Sequence, residues 1–114
     1  MKRIIVSIVI SLFGIYCANA NSPIEIERTI VRIVIHDNGS LIYVELDQPA
    51  VNQENCTNDG LLVLYKSHSS FDQIYAGLLS AFHTKGKFKG WVNGCHNWSA
   101  TYSNPILRRL DLVK

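Results

Sequence analysis

Between residues 69 and 86 apolar side chains recur at Phe71, Ile74, Tyr75, Leu78, Leu79 and Phe82, a three-and-four spacing that gathers them on one face of a helix. Ser69 or Ser70 stands where a cap belongs, and Asp72 or Gln73 where a capping box would close. Lys85 and Gly86 stand where a cationic last turn and a left-handed stop are expected. Elsewhere beyond residue 20 the pattern is one of short strands. Residues 30–35 are almost wholly β-branched and apolar, and Ile24 and Ile26 alternate out of phase with Val31, Ile33 and Ile35, which predicts a bulge or bend near Arg28. Asp37, Asn38 and Gly39 predict a hairpin closed by a type I′ turn. The second strand is then 41–46, with Ile42, Val44 and Leu46 on one face, and the third is 61–65. A fourth strand is predicted over 87–95, with Phe88 and Val92 on one face and Lys89, Trp91 and Asn93 on the other. Gly90 and Gly94 mark bulges or close backbone approach. The last strand is 106–113, with Ile106, Leu110 and Leu112 directed inward, and residues 48–60 and 96–104 read as polar loops.

The expected class is therefore mainly β with one helix, in the order β-β-β-α-β-β. A lone helix with a wide apolar face has to cover a sheet or plug a barrel, because it cannot bury that face alone. This order is that of the OB-fold, a five-stranded, partly open Greek-key barrel. A bent first strand and glycines in the fourth are devices that closure requires. A helix laid on an open antiparallel sheet fits the same order.

Composition changes the picture at the N-terminus first. Lys2 and Arg3, an apolar run over 4–16 and the small residues Ala18-Asn19-Ala20 form the three parts of an export signal, too short for a membrane span. The expected organisation is a signal peptide over 1–20, cleaved after Ala20, and a single domain over 21–114. The mature chain would then be periplasmic or secreted, with no membrane span. Without Lys2 and Arg3, nine basic residues face nine acidic ones, so the basic balance of the whole chain is no sign of nucleic-acid binding. Cys17 leaves with the signal. Cys56 and Cys95 remain as a pair in a chain sent to an oxidising compartment, and a disulfide is expected. A redox dithiol would need a C-x-x-C spacing that is absent.

Across 24–113 the layout resembles a group of small exported bacterial proteins. The pieces that carry the likeness are residues 30–43, Cys56, the LLSAF helix with Lys85 and Gly86, the strand ending in Gly94-Cys95, and the Leu110-Asp111-Leu112 strand. The arrangement is similar to the OB-fold B subunits of AB5 toxins, including the subtilase cytotoxin type. That resemblance implies glycan binding and a homo-oligomer, a pentamer by analogy, and carries over no sugar-binding residue position by position.

Candidate chemistry is sparse. His36, His68, His83 and His96 have neither the i, i+4 spacing nor a cysteine partner at the spacing that marks a metal motif, so no metal or other cofactor is expected. No local motif assembles a nucleophile, a base and an orienting carboxylate, and no catalytic residue is assigned. The N-x-S/T triplets at Asn38, Asn55 and Asn97 read as turn chemistry. What stands out is Trp91, Asn93, His96, Trp98 and Tyr102, flat rings beside amide groups, the combination with which proteins hold the apolar face and hydroxyl rim of a sugar. The leading expectation is an exported, non-enzymatic binding module for a glycan or a protein partner. The rivals are a small periplasmic enzyme using His36, Asp37 or His96, and a structural or inhibitory protein that pairs through a sheet edge.

Overall fold

Thr29 divides what the pattern predicts as one bent strand into two. In the computed structural model, which describes residues 21–114, β1 (Ser22–Arg28) and β2 (Ile30–His36) flank that single residue. The signal segment 1–20, with Cys17 and the expected cleavage site, lies outside the described residues. The other elements are β3 (Leu41–Leu46), β4 (Leu61–Tyr65), the helix α1 (Phe71–Thr84), β5 (Lys87–Ser99) and β6 (Tyr102–Val113). They form one sheet of six strands, not five, in the order β1-β5-β6-β4-β3-β2. All neighbours are antiparallel except β4 and β6, which run parallel at Val63 and Ile106. The two end strands of the order are thus consecutive in the chain.

The division at Thr29 is held by specific bonds. Thr29 N–H donates to Asp47 Oδ1 at 3.0 Å, and Asp47 N–H donates back to the Thr29 carbonyl at 3.0 Å. Arg28, buried, spends its guanidinium on the carbonyls of Pro49 (2.9 Å) and Glu27 (3.0 Å). With its polar groups satisfied there, the backbone leaves β5 and joins β3 without an orphaned donor. The register also slips between Ile30 and Arg32. Ile30 is consequently the core residue of β2, while Val31 and Ile35 are exposed.

One core runs through the molecule, built from Ile24, Ile30, Ile42, Val44, Leu46, Leu62, Leu64, Phe88, Val92 and Leu107 and closed by Ile74, Leu78 and Ala81 of the helix. The β3 face came as expected. The helix sits over β2 and β6, with Phe71 and Tyr75 stacked at 5.6 Å on its half-buried flank. Its inward line runs through Ala81, so Leu79 and Phe82 stay exposed. The expected capping box is absent: Ser70 occupies the cap without a side-chain bond, and His68 takes over, its Nδ1 accepting from Ser70 N–H at 2.9 Å while Nε2 meets the Arg108 carbonyl at 2.9 Å. The left-handed stop is Lys85 at φ 57°, one residue before Gly86.

Strands β5 and β6 extend past the ends predicted for them, converting most of the expected 96–104 loop into hairpin arms. Trp91 pairs with Arg109 but Val92 with Leu107, so Arg108 is skipped and the side-chain phase of β6 inverts. That bulge buries Leu107 completely, leaves Ile106 and Leu110 half-buried and exposes Leu112. A Cβ on Gly90 would lie 2.3 Å from the Arg109 carbonyl oxygen, the close approach its position predicts, and Gly94 sits at φ 80° within a second register shift. Lys87 and Lys89 lie on β5, which is flanked on both sides by strands. The 37–39 turn is a 3-10 turn with Asp37, Asn38 and Gly39 all at positive φ, since Leu41 pairs with His36 and four residues must be spanned instead of two. Asn55 also has positive φ, as turn chemistry predicts, whereas Asn97 lies inside β5.

The segment 47–60 is bound down along its length. Cys56 is joined to Cys95 as expected. Glu25 N–H donates to Val51, Asn58 N–H donates to the Ser103 carbonyl, and Thr57 and Ser103 exchange bonds through their hydroxyls. The Glu54 carboxylate accepts from Gly94 N–H at 2.7 Å and from the Ser22 hydroxyl. Among the described residues no helix is long and apolar enough to cross a membrane.

Candidate functional site

The far face of β3 and β4, opposite the helix-capped core, carries Leu41, Tyr43 and Glu45 on one strand and Leu61, Val63 and Tyr65 on the next, by the two-residue alternation of strands. Leu41 and Val63 are buried there although neither belongs to the main core. An aromatic layer accompanies them. Trp98 on β5 meets His96 at 4.5 Å, His36 of β2 at 5.4 Å and Tyr43 of β3 at 5.5 Å between ring centres, each nearly edge-on. Tyr65 of β4 meets His96 edge-on at 5.4 Å and shares a hydrogen bond between its hydroxyl and Nδ1. Four strands thus contribute one ring cluster.

Trp98 is held by its polar edge. Its Nε1–H donates to Asn104 Oδ1 at 2.7 Å, and the Asn104 amide donates in turn to the Asn58 carbonyl at 2.7 Å. Asn104 is fully buried. A buried amide with both ends bonded is a rigid support, since any other orientation would strand a polar group away from water. Burial keeps the His96 imidazole below its ordinary pKa, with the electrostatic influence of the nearby His36 as a second cause. Burial also raises the Tyr65 phenol. Both effects favour a neutral pair at pH 7, one proton shared between one donor and one acceptor.

In front of the rings lies a cavity of about 400 Å³ lined by Arg32, His36, Tyr43, Leu61, Trp98 and Tyr102, within the range of about 300–1,000 Å³ usual for small-ligand sites. Arg32 pairs with Glu45 at 2.8 Å and holds its guanidinium carbon 6.0 Å from the Tyr43 ring centre. Among the described residues no three of His, Cys, Asp or Glu are grouped so as to hold a metal ion.

Of the five residues expected to bind ligand, the structure brings His96, Trp98 and Tyr102 to this region. Trp91 is elsewhere. It lies seven residues back along β5, about 20 Å at strand spacing, with the Arg109 guanidinium 5.8 Å over its ring. Asn93, half-buried between them in sequence, does not line the cavity. Sequence reasoning missed Arg32, Tyr43, Leu61 and Tyr65 as site residues. For Arg32, Tyr43 and Tyr65 the signal was a polar or aromatic residue interrupting an apolar strand, which marks a solvent-facing position but not which positions meet; Leu61 carried none. His36 and His96, weighed separately, converge on the same tryptophan. No protein-family model matches the chain, and no curated protein or solved structure matches it, so the chemistry of the site rests on its own residues.

Proposed function

We propose that the mature chain is an exported, non-enzymatic binding module that holds a glycan against the aromatic face of β2, β3, β4 and β5. The observation that carries this reading is the ring cluster around Trp98 beside an open cavity bordered by Arg32 and Tyr102. Ring faces with polar neighbours suit a sugar, whose C–H face is apolar and whose hydroxyls need partners. Taking β1 and β2 as two halves of one bent strand turns the sheet order into that of a five-stranded Greek-key barrel with its helix between the third and fourth strands. This supports the OB-like assignment, a fold whose second and third strands form a recurrent ligand face. The disulfide agrees with a periplasmic or secreted location. Equal numbers of acidic and basic residues beyond the signal give nucleic acid no electrostatic support.

The test is binding of the oxidised protein to a broad glycan panel. Trp98→Ala, folded by circular dichroism, should lose about tenfold or more in affinity, and Trp91→Ala should lose little. Equal binding by the wild type and Trp98→Ala, or no binding to any glycan, overturns the reading. A second reading, a protein partner or an oligomer, is favoured by the exposed Val31, Leu79 and Phe82, of which Val31 and Phe82 border an apolar cavity of about 450 Å³. Light scattering at several concentrations distinguishes a monomer from the pentamer that toxin-subunit resemblance implies.

A further inference from the structure

The aromatic cavity does not end at Arg32. Arg32, Leu61 and Tyr102 also line a second cavity, of about 330 Å³, which continues over Glu45, Asp47, Gln48 and Asn58. The two halves of this groove differ in chemistry. The first offers the rings of Tyr43, His36 and Trp98 and contains no carboxylate. The second offers two carboxylates and two amides.

The donors and acceptors in the polar half are only partly used. Asp47 Oδ1 accepts from Thr29 N–H at 3.0 Å, which leaves Oδ2 for a ligand. Asn58 Oδ1 is engaged by Gly60 N–H at 2.7 Å and by the Asn104 amide at 3.2 Å, which leaves its own amide hydrogens to donate. Gln48 is exposed, and among the described residues its side chain has no hydrogen-bond partner. Between the halves, Arg32 Nε bonds Glu45 Oε1 at 2.8 Å, and this pair occupies one strand position on each of β2 and β3. The pair orients both side chains and leaves Glu45 Oε2 and the outer guanidinium nitrogens open.

We infer that the ligand is a carbohydrate chain of at least two sugar units, one against the rings of Tyr43 and Trp98 and the next in the polar half, with the linkage crossing Arg32, Leu61 and Tyr102. This rests on the glycan reading above. A single sugar ring can use the aromatic half or the polar half, but not both, and each half alone gives weak binding. A covalent link makes the second contact intramolecular, so its free energy adds without a second association cost. The carboxylates of Glu45 and Asp47 set the character of the second unit. They accept hydrogen bonds from hydroxyls and repel an anion, so that unit carries no negative charge.

The experiment uses the full chain, expressed so that it is exported and oxidised, with nitrogen-15 labelling. Glucose, galactose and N-acetylglucosamine are titrated against their neutral β- and α-linked di- and trisaccharides and against a disaccharide carrying a carboxylate on its second unit. Expected for at least one series is a gain of about tenfold or more from mono- to disaccharide. The Trp98 indole and the Gln48 side-chain amide should shift together, and the carboxylated disaccharide should lose the gain. Gln48→Ala, on an exposed side chain with no hydrogen-bond partner among the described residues, should reduce that gain. Monosaccharide binding at Trp98 with no gain on lengthening, or a gain unaffected by both Gln48→Ala and Glu45→Gln, overturns the two-unit inference and leaves the glycan reading standing. Silence of the Trp98 resonance toward every sugar overturns both.

Discussion

Trp91 and Trp98 lie on one strand, yet they belong to two different kinds of environment. Around Trp91 the neighbours are strands: Pro23 of β1 on one side, Arg109 of β6 on the other, and the fully buried Phe88 and Val92 on the opposite face. Around Trp98 the neighbours are rings and one buried amide, supplied by β2, β3 and β6. The first end is organised by backbone pairing and close packing, the second by side-chain polarity and a covalent tether. Both tryptophans are half-buried, but only Trp98 has its indole N–H fixed by a buried amide and its ring set among other rings.

Removing the tether should give the largest effect. Cys56→Ala with Cys95→Ala releases a loop closed across a sequence separation of 39, and should cost about 4 kcal/mol on the loop-entropy account. Denaturant unfolding measures it, and hydrogen exchange should loosen residues 54–58 and the Trp98 end well before the Trp91 end. Loosening of both ends alike would erase the contrast. Gly90→Ala attacks the other end. The added Cβ meets the Arg109 carbonyl, and backbone cannot yield as a side chain would, so about 3 kcal/mol should be lost with the Trp98 indole resonance little changed. Asn104→Ala should cost about 2 kcal/mol, because it strands the Trp98 N–H and the Asn58 carbonyl at once. Its signature is greater mobility of the Trp98 indole with Trp91 unaffected.

The smallest effect is on pH. The folded pKa of His96 lies below the model-peptide value of 6.5, chiefly through burial, so the folded state favours the neutral ring. The stability this contributes is complete above pH 6.5 and is lost as pH falls through the folded pKa. Thermal melts of the wild type should therefore decline below pH 6.5 more steeply than those of His96→Gln. Emission read in Trp91→Phe should titrate in the same window, while emission read in Trp98→Phe should not. Parallel slopes in the two melts would remove His96 as the cause.

Much of this contrast was invisible in the chain itself. The helix, the β3 face, the bend near Arg28 and the cysteine pairing were legible because each depends on local periodicity, local backbone preference or the arithmetic of two cysteines. Of the inward set predicted for β6, Leu110 does pack against the core, but Leu107 is buried in place of Ile106 and Leu112 is exposed, because Arg108 is skipped in the pairing with β5 and one unpaired residue shifts the side-chain alternation. Trp91 and Trp98 looked alike for the same reason, since bulges near Val92 and Gly94 separate their surroundings and no pattern of apolar residues encodes a bulge of that kind.

By itself, then, the sequence determined the mainly β character with one amphipathic helix, the turn at Asp37 to Gly39, the tie between Cys56 and Cys95 and the aromatic content of the β5–β6 arm. Only the tertiary structure decided that Thr29 splits a strand, that Leu107 and not Ile106 enters the core, and that His36, Tyr43, Tyr65 and His96 meet around Trp98. The physical reason is range. Propensity and periodicity act over a few residues, whereas the site depends on the register between strands up to about sixty positions apart in the chain, and register is set by the whole core closing at once.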